Sequence, residues 1–154
     1  PAEVVMSLAV QKAVDVARGM PEGTVILGSD TVVAADGKIL GKPKSHEEAY
    51  EMIRRLAGRS HQVYTGVCLV KKGPEGEADT VVSFYDETDV NVSPMTEKEI
   101  REYADSEEPM DKAGSYAVQG FFARYIDGLK GSYANVMGLP VHLVYQELKK
   151  LGAL

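Results

Sequence analysis

Two long β-rich runs, residues 62–70 and 79–92, flank one polar, Gly/Pro-rich stretch at 71–78. That pattern reads as a hairpin and commits the middle of the chain to a sheet. A shorter apolar, β-branched run at 24–27 reads as a buried strand. Gly28-Ser29-Asp30 interrupts it, and extended character resumes over 31–35. Ala35-Asp36-Gly37-Lys38 is a turn signal, because Asp-Gly tolerates the positive φ of a type I′ hairpin, and Ile39-Leu40 is expected to pair back.

Helices are expected around these strands. From Ala2 to about Arg18, Val5, Leu8, Ala9, Lys12, Ala13 and Val16 recur at spacings of three and four, and Gly19 and Pro21 end the pattern. Ser45 with Glu48, and Thr96 with Glu99, read as capping boxes opening two further helices. Residues 109–120 are irregular, 121–126 look extended and 140–151 look helical. The 154 residues fit one domain, 1–154, of class α/β, with a mixed twisted sheet and flanking helices.

Charge and composition exclude several functions. A formal net charge of −6 disfavours bulk nucleic-acid binding, and no apolar stretch is long enough to span a bilayer. The single cysteine, Cys68, excludes an intrachain disulfide and fits a reducing cytoplasm. It lies in an apolar run and reads as a buried structural thiol. No Walker A loop and no G-x-G-x-x-G fingerprint is present. His46, His61 and His142 lack zinc-ligand spacing.

Three patches carry chemistry. Asp30 sits within an apolar strand run, where a carboxylate is costly unless paired or metal-bound, and Gly28 allows another group close to the backbone. A strand-end aspartate making a turn explains this patch equally well. Lys42 stands just beyond the following hairpin, whose geometry could bring it near Asp30, and an ammonium there would offset phosphate charge. Taken alone, a solvated turn lysine is the more ordinary reading. In the segment 111–120, Lys112 and Gln119 flank small residues and Tyr116 in a glycine-framed loop, and a glutamine amide can read a base edge.

At these patches the sequence resembles the Maf family, also called septum-formation-inhibitor-like proteins. Leu8-Ala9…Lys12-Ala13 resembles the family's L-A-x-x-K-A helix. Gly28-Ser29-Asp30-Thr31-Val32-Val33 resembles its G-[AS]-D-T-[VI]-V strand, and Leu40-Gly41-Lys42-Pro43 its L-G-K-P turn. Tyr64-Thr65-Gly66-Val67 resembles its T-G-V strand. The segment from Asp111 to Gly120 resembles its D-K-A-G-x-Y-x-I-Q-G loop, and that from Gly131 to Pro140 its G-S-Y-x-N-V-x-G-L-P segment. Six such matches in order are highly specific.

The resemblance implies a fold similar to the inosine-triphosphate pyrophosphatases, with two lobes around a cleft. It implies hydrolysis of a nucleoside triphosphate to monophosphate and pyrophosphate with a divalent metal, Mg or Mn. The form of the 111–120 loop resembles the subgroup acting on dTTP and UTP, including modified pyrimidine nucleotides. By position Asp30 matches the proton acceptor and is the expected metal ligand. Lys12, Lys42 and Lys112 match lysines of the site, and Thr31 and Gln119 its specificity positions. The expected partners are the nucleotide and, at most, a second copy of the chain, in the cytoplasm. Family members begin with a strand and an S-x-S-P-R-R-type loop. Here Pro1 already stands near the first helix, so a chain without that segment is expected. The competing reading is a non-catalytic nucleotide-binding regulator of cell division.

Overall fold

The computed structural model describes residues 1–154. Its strands are β1 (Val25–Ala35), β2 (Lys38–Leu40), β3 (Ser60–Lys71), β4 (Thr80–Val92) and β5 (Ile126–Lys130). Its helices are α1 (Ala2–Ala17), α2 (His46–Leu56), α3 (Glu97–Ala104), α4 (Tyr133–Met137) and α5 (Val141–Lys150). The strands form one sheet in the order β2-β1-β3-β4-β5. No helix is long and apolar enough to cross a membrane.

The α/β class with flanking helices is as expected, but every pairing in the sheet is antiparallel rather than mixed. The connections explain this. The β1–β2 turn is tight, with Asp36 and Gly37 both at positive φ. After β2, α2 carries the chain back to the end of β1, so β3 enters with Gln62 opposite Ala34 and runs back along it. The 71–78 loop then returns β4 along β3.

Two other expectations change. Gly28-Ser29-Asp30 does not interrupt the strand, for β1 runs through it with Gly28 opposite Cys68 and Asp30 opposite Gly66. Residues 121–125 are a 3-10 turn, and extended backbone begins only at Ile126. Glu108 is the cause: its carboxylate accepts the backbone N–H groups of Phe121 and Phe122, at 2.8 and 3.2 Å, and takes them out of any ladder. Phe122 is thereby driven into the core, with its ring 4.9–5.5 Å from those of Tyr103, Tyr116 and Tyr125.

Side-chain alternation divides the sheet into two working faces. On one, α1 buries Ala9, Ala13 and Ala17 against Ile26, Cys68 and Val70. The thiol of Cys68 is free, and burial pushes its pKa up, which suits a packing role. On the other face, α5 covers Val67 and Leu69 through Val144 at one end. The main core, with Ile53, Leu56, Ile100, Tyr103 and Phe122, covers Val33, Val63 and Val90 at the other. The gap between those two coverings is where a cleft opens.

The first face depends on glycine. A Cβ on Gly66 would lie 2.3 Å from the backbone of Val5, and one on Gly28 would lie 2.7 Å from the Ala9 carbonyl oxygen. The helix therefore rests on bare backbone, and no flexible side chain could yield. Gly66→Ala is expected to force α1 off the sheet and destabilise the protein by about 1–3 kcal/mol or more. Urea unfolding with both proteins at one pH measures it, and an unchanged midpoint would contradict the contact.

Candidate active site

The floor of the cleft is made by facing residues of β1 and β3, Thr31 and Val33 with Val63, Val33 being paired directly with Val63. One wall is the end of α4, with Val136, Met137 and Gly138, and the other is the loop from Lys112 to Gln119. The space of this open cleft is about 300 Å³, at the lower end of the range for small-ligand sites. Apolar walls with a few polar groups suit a flat, partly polar ring.

Local backbone devices hold the loop. Gly114 and Ser115 both have positive φ, about 70°, and a Cβ on Gly114 would lie 2.8 Å from Val33. The Gly114 N–H donates to the Gly41 carbonyl at 3.1 Å, tying the loop to the turn after β2. At its far end, the carboxylate of Glu108 holds Phe121 and Phe122 and accepts the Tyr103 hydroxyl at 2.6 Å. Gln119 is thus fixed through the residues that follow it, while its own side chain makes no hydrogen bond within the protein.

Asp30 points to the opposite side of β1, where Lys12 of α1 donates to its carboxylate at 2.8 Å and to the Ser29 carbonyl at 3.2 Å. The Lys12 side chain is 55% exposed and that of Asp30 20%. A pair so open to water contributes little stability, about 0–1 kcal/mol at most, so its arrangement matters more than its strength.

Thr31, Lys112 and Gln119 therefore share one cleft, and Lys12 and Asp30 form an adjacent pair. Lys42 makes no ion pair with Asp30. The β1–β2 register, continued, would set Lys42 opposite Thr31, but pairing stops at Leu40 with Val33. Lys42 follows Gly41, whose carbonyl is bonded to the Gly114 N–H of the loop. The hydrogen bond from Lys112, 2.7 Å long, and then the charges of Lys112 and Lys42 hold the Asp111 carboxyl below its usual range. No three His, Cys, Asp or Glu side chains are grouped to hold a metal ion.

Residues 1–151 match the family described as Maf-like protein. The chain belongs to this family. It is 47% identical over 152 residues to a protein of Lachnoclostridium phytofermentans named dTTP/UTP pyrophosphatase, covering 99% of this chain and 77% of that one. It is 48% identical over 167 residues to one of the same name from Agathobacter rectalis, covering 99% and 80% respectively. A third, from Carboxydothermus hydrogenoformans, is 47% identical over 152 residues, covering 99% of this chain and 79% of its own length.

The site has structural members that sequence reasoning passed over. Thr65 and Asn135 lie buried beneath the cleft, and Glu108 braces the loop. Glu108 has no signal in its neighbourhood beyond other acidic residues. His61 was legible, because period-two alternation along 61, 63, 65 and 67 puts it on the apolar face. It is fully buried, and its Nε2 lies 2.6 Å from the hydroxyl of Tyr116, whose ring stands edge-on to it on the cleft wall. His46 is half-buried, with Nδ1 2.9 Å from the Ala104 carbonyl oxygen.

Burial, with a smaller contribution from the charge of Arg59, pushes the His61 pKa down to about 4. The unfolded value is about 6.5, so between the two the unfolded chain binds the extra proton. His61 therefore contributes stability that is fully present above pH 6.5 and is lost as the pH falls toward 4. The loss is expected to approach about 3 kcal/mol. Urea melts from pH 7 to 4.5, with His61→Gln as control, measure it. A variant whose stability falls as steeply as the wild type's would refute the assignment.

Proposed function

We propose that this protein hydrolyses dTTP and UTP to the nucleoside monophosphate and pyrophosphate. The observation that carries the reading is the arrangement around β1. Consecutive residues present a lysine-paired carboxylate, Asp30, and a threonine, Thr31, that floors a base-sized cleft bearing Lys112 and Gln119. The names borne by the relatives from L. phytofermentans and A. rectalis support the same reaction and substrates. A nucleotide seated base-first in the cleft would carry its phosphates around β1 toward Asp30 and Lys12.

In this reading Asp30 accepts a proton from the attacking water as its oxygen bonds to the α-phosphorus and the α–β phosphoanhydride bond breaks. Pyrophosphate leaves with the bridging oxygen. Lys12 orients the Asp30 carboxylate through its 2.8 Å hydrogen bond. Lys112, with Lys42 beside the same loop, offsets charge growing on the phosphoryl oxygens. Any divalent cation would be held by Asp30 together with phosphate oxygens, since Mg²⁺ commonly takes one or two carboxylates plus substrate and water. When bound, it would supply charge neutralisation and a lowered water pKa. A cytoplasmic location belongs to this reading and rests on the nucleotide substrate and the buried free thiol of Cys68.

Incubation with UTP or dTTP and Mg²⁺ should yield monophosphate and pyrophosphate, and release of orthophosphate in their place would reject the reaction. Asp30→Asn should lower kcat by about 10²–10⁴-fold with little change in thermal stability. Full turnover by that variant would remove Asp30 from the chemistry. Gln119→Glu replaces a group that both donates and accepts by one that only accepts. It should lower kcat/KM for UTP by about ten- to a hundredfold while leaving the melting temperature in place. Equal losses on UTP, CTP and GTP with a lowered melt would mean that Gln119 only braces its loop.

A further inference from the structure

The cleft holds four polar side chains: Thr31, Lys112, Tyr116 and Gln119. Lys112, paired with Asp111, is assigned above to the phosphates, and the Tyr116 hydroxyl is bonded to His61. That leaves Thr31 and Gln119 to meet the polar edge of a base. A glutamine amide without protein partners can turn over and offer either its donor or its acceptor to the same atom. Gln119 alone therefore cannot separate uracil from cytosine. A group of fixed polarity can.

Thr31 is such a group. Its Oγ1 lies 2.8 Å from the Oγ1 of Thr65, and a hydroxyl has one hydrogen to give. Thr65 is fully buried and donates its hydrogen to the backbone carbonyl of Asn135 at 3.0 Å. Either hydroxyl of the Thr31–Thr65 pair could donate, and the arrangement that keeps both short bonds, with the Thr65 hydrogen on the Asn135 carbonyl, makes Thr31 the donor. The Asn135 carbonyl is itself firmly placed. Its side-chain amide donates to the Val63 carbonyl at 3.1 Å and to the Thr88 hydroxyl at 2.9 Å, and the Ser132 hydroxyl caps its backbone N–H at 3.1 Å. The other acceptor near Thr31, the Gly138 carbonyl at 3.5 Å, also draws the hydrogen into the protein. Only lone pairs of Thr31 face the cleft.

Resting on the pyrimidine-nucleotide reading above, we propose that the Asn135–Thr65 relay fixes Thr31 as a hydrogen-bond acceptor and so selects uracil and thymine over cytosine. Uracil and thymine carry a hydrogen on N3, which an acceptor-only Thr31 receives. Cytosine has a bare lone pair at N3, and two acceptors facing each other repel. Thr65 is a positioning residue, acting through Thr31 without touching the nucleotide.

Thr65→Val keeps the shape, removes the acceptor for the Thr31 hydrogen, and leaves the Asn135 carbonyl with the Gly138 N–H as partner. The freed Thr31 hydroxyl can then donate into the cleft. The ratio of kcat/KM for UTP to that for CTP should fall about tenfold, with part of the change coming from a gain on CTP. Thr65→Ser, which keeps the hydroxyl, should restore the wild-type ratio. Thr31→Val, at a half-exposed position that burdens folding less, should lower the ratio through loss on UTP alone. An unchanged ratio in both valine variants, or equal losses on the two nucleotides, would overturn the relay. A wild-type protein that turns over neither UTP nor dTTP would instead defeat the underlying reading, and that result is visible before any variant is made.

Discussion

The charged end of the site depends on how closely α1 lies on the sheet. A helix normally stands off a sheet by the depth of two side chains. Here Gly28 and Gly66 provide none, and the helix answers with alanines, so backbone nearly touches backbone. That approach brings the short reach of Lys12 onto Asp30 and the Ser29 carbonyl together. Were either glycine replaced, the lysine would retreat with its helix, and Asp30 would face water or the interior without its cation. The ion pair is too exposed to hold the helix in place. Apolar contact positions the pair, and the pair orients the carboxylate.

The second face works differently. Its apolar covering leaves Thr31 open to the cleft, and of the polar side chains beneath it, Thr65, Thr88 and the Asn135 amide nitrogen are hydrogen-bonded. Thr88, Asn135, Thr65 and Thr31 form a chain of hydrogen bonds from β4 through α4 to the cleft floor. Buried polar networks are costly when incomplete, so such a chain has a nearly determined direction for each hydrogen. The Asn135 Oδ1 is the one side-chain atom of this chain left without a partner. It carries no hydrogen, so it does not disturb the polarity of the rest. A floor whose hydrogens are already assigned can discriminate between ligands that differ by one proton, which a solvated, freely rotating hydroxyl could not.

Local chemistry made much of this fold legible. The turn at Asp36-Gly37, the box at Thr96 and Glu99, and the long hairpin of β3 and β4 each have a mechanism confined to a few residues. Errors arose where a distant residue decided the outcome. Gly28-Ser29-Asp30 read as a break because nothing nearby revealed that α1 would supply both the packing and the counter-charge. Phe121 to Tyr125 read as a strand because its apolar pattern suited one, yet Glu108, more than ten residues earlier, claims its N–H groups. The antiparallel sheet was hidden for a related reason, since the direction of β3 is set by where α2 delivers it.

The site was legible to the same degree. Asp30, Lys112 and Gln119 could be singled out because each sits oddly in its local sequence, a carboxylate in an apolar strand and a lysine and a glutamine in a glycine-framed loop, whereas Thr31 came only from the family resemblance. Thr65 and Asn135 could not, because a threonine in a strand and an asparagine in the first turn of a serine-capped helix are ordinary. Their importance is relational and consists of which neighbour receives which hydrogen. Sequence marks the groups that would touch a nucleotide more readily than the groups that tell them how to behave. In this protein those supporting groups lie on β3 and α4, Thr65 within a buried strand and Asn135 in the turn capped by Ser132. On the proposed relay, specificity is built from residues whose local sequence gives no sign of it.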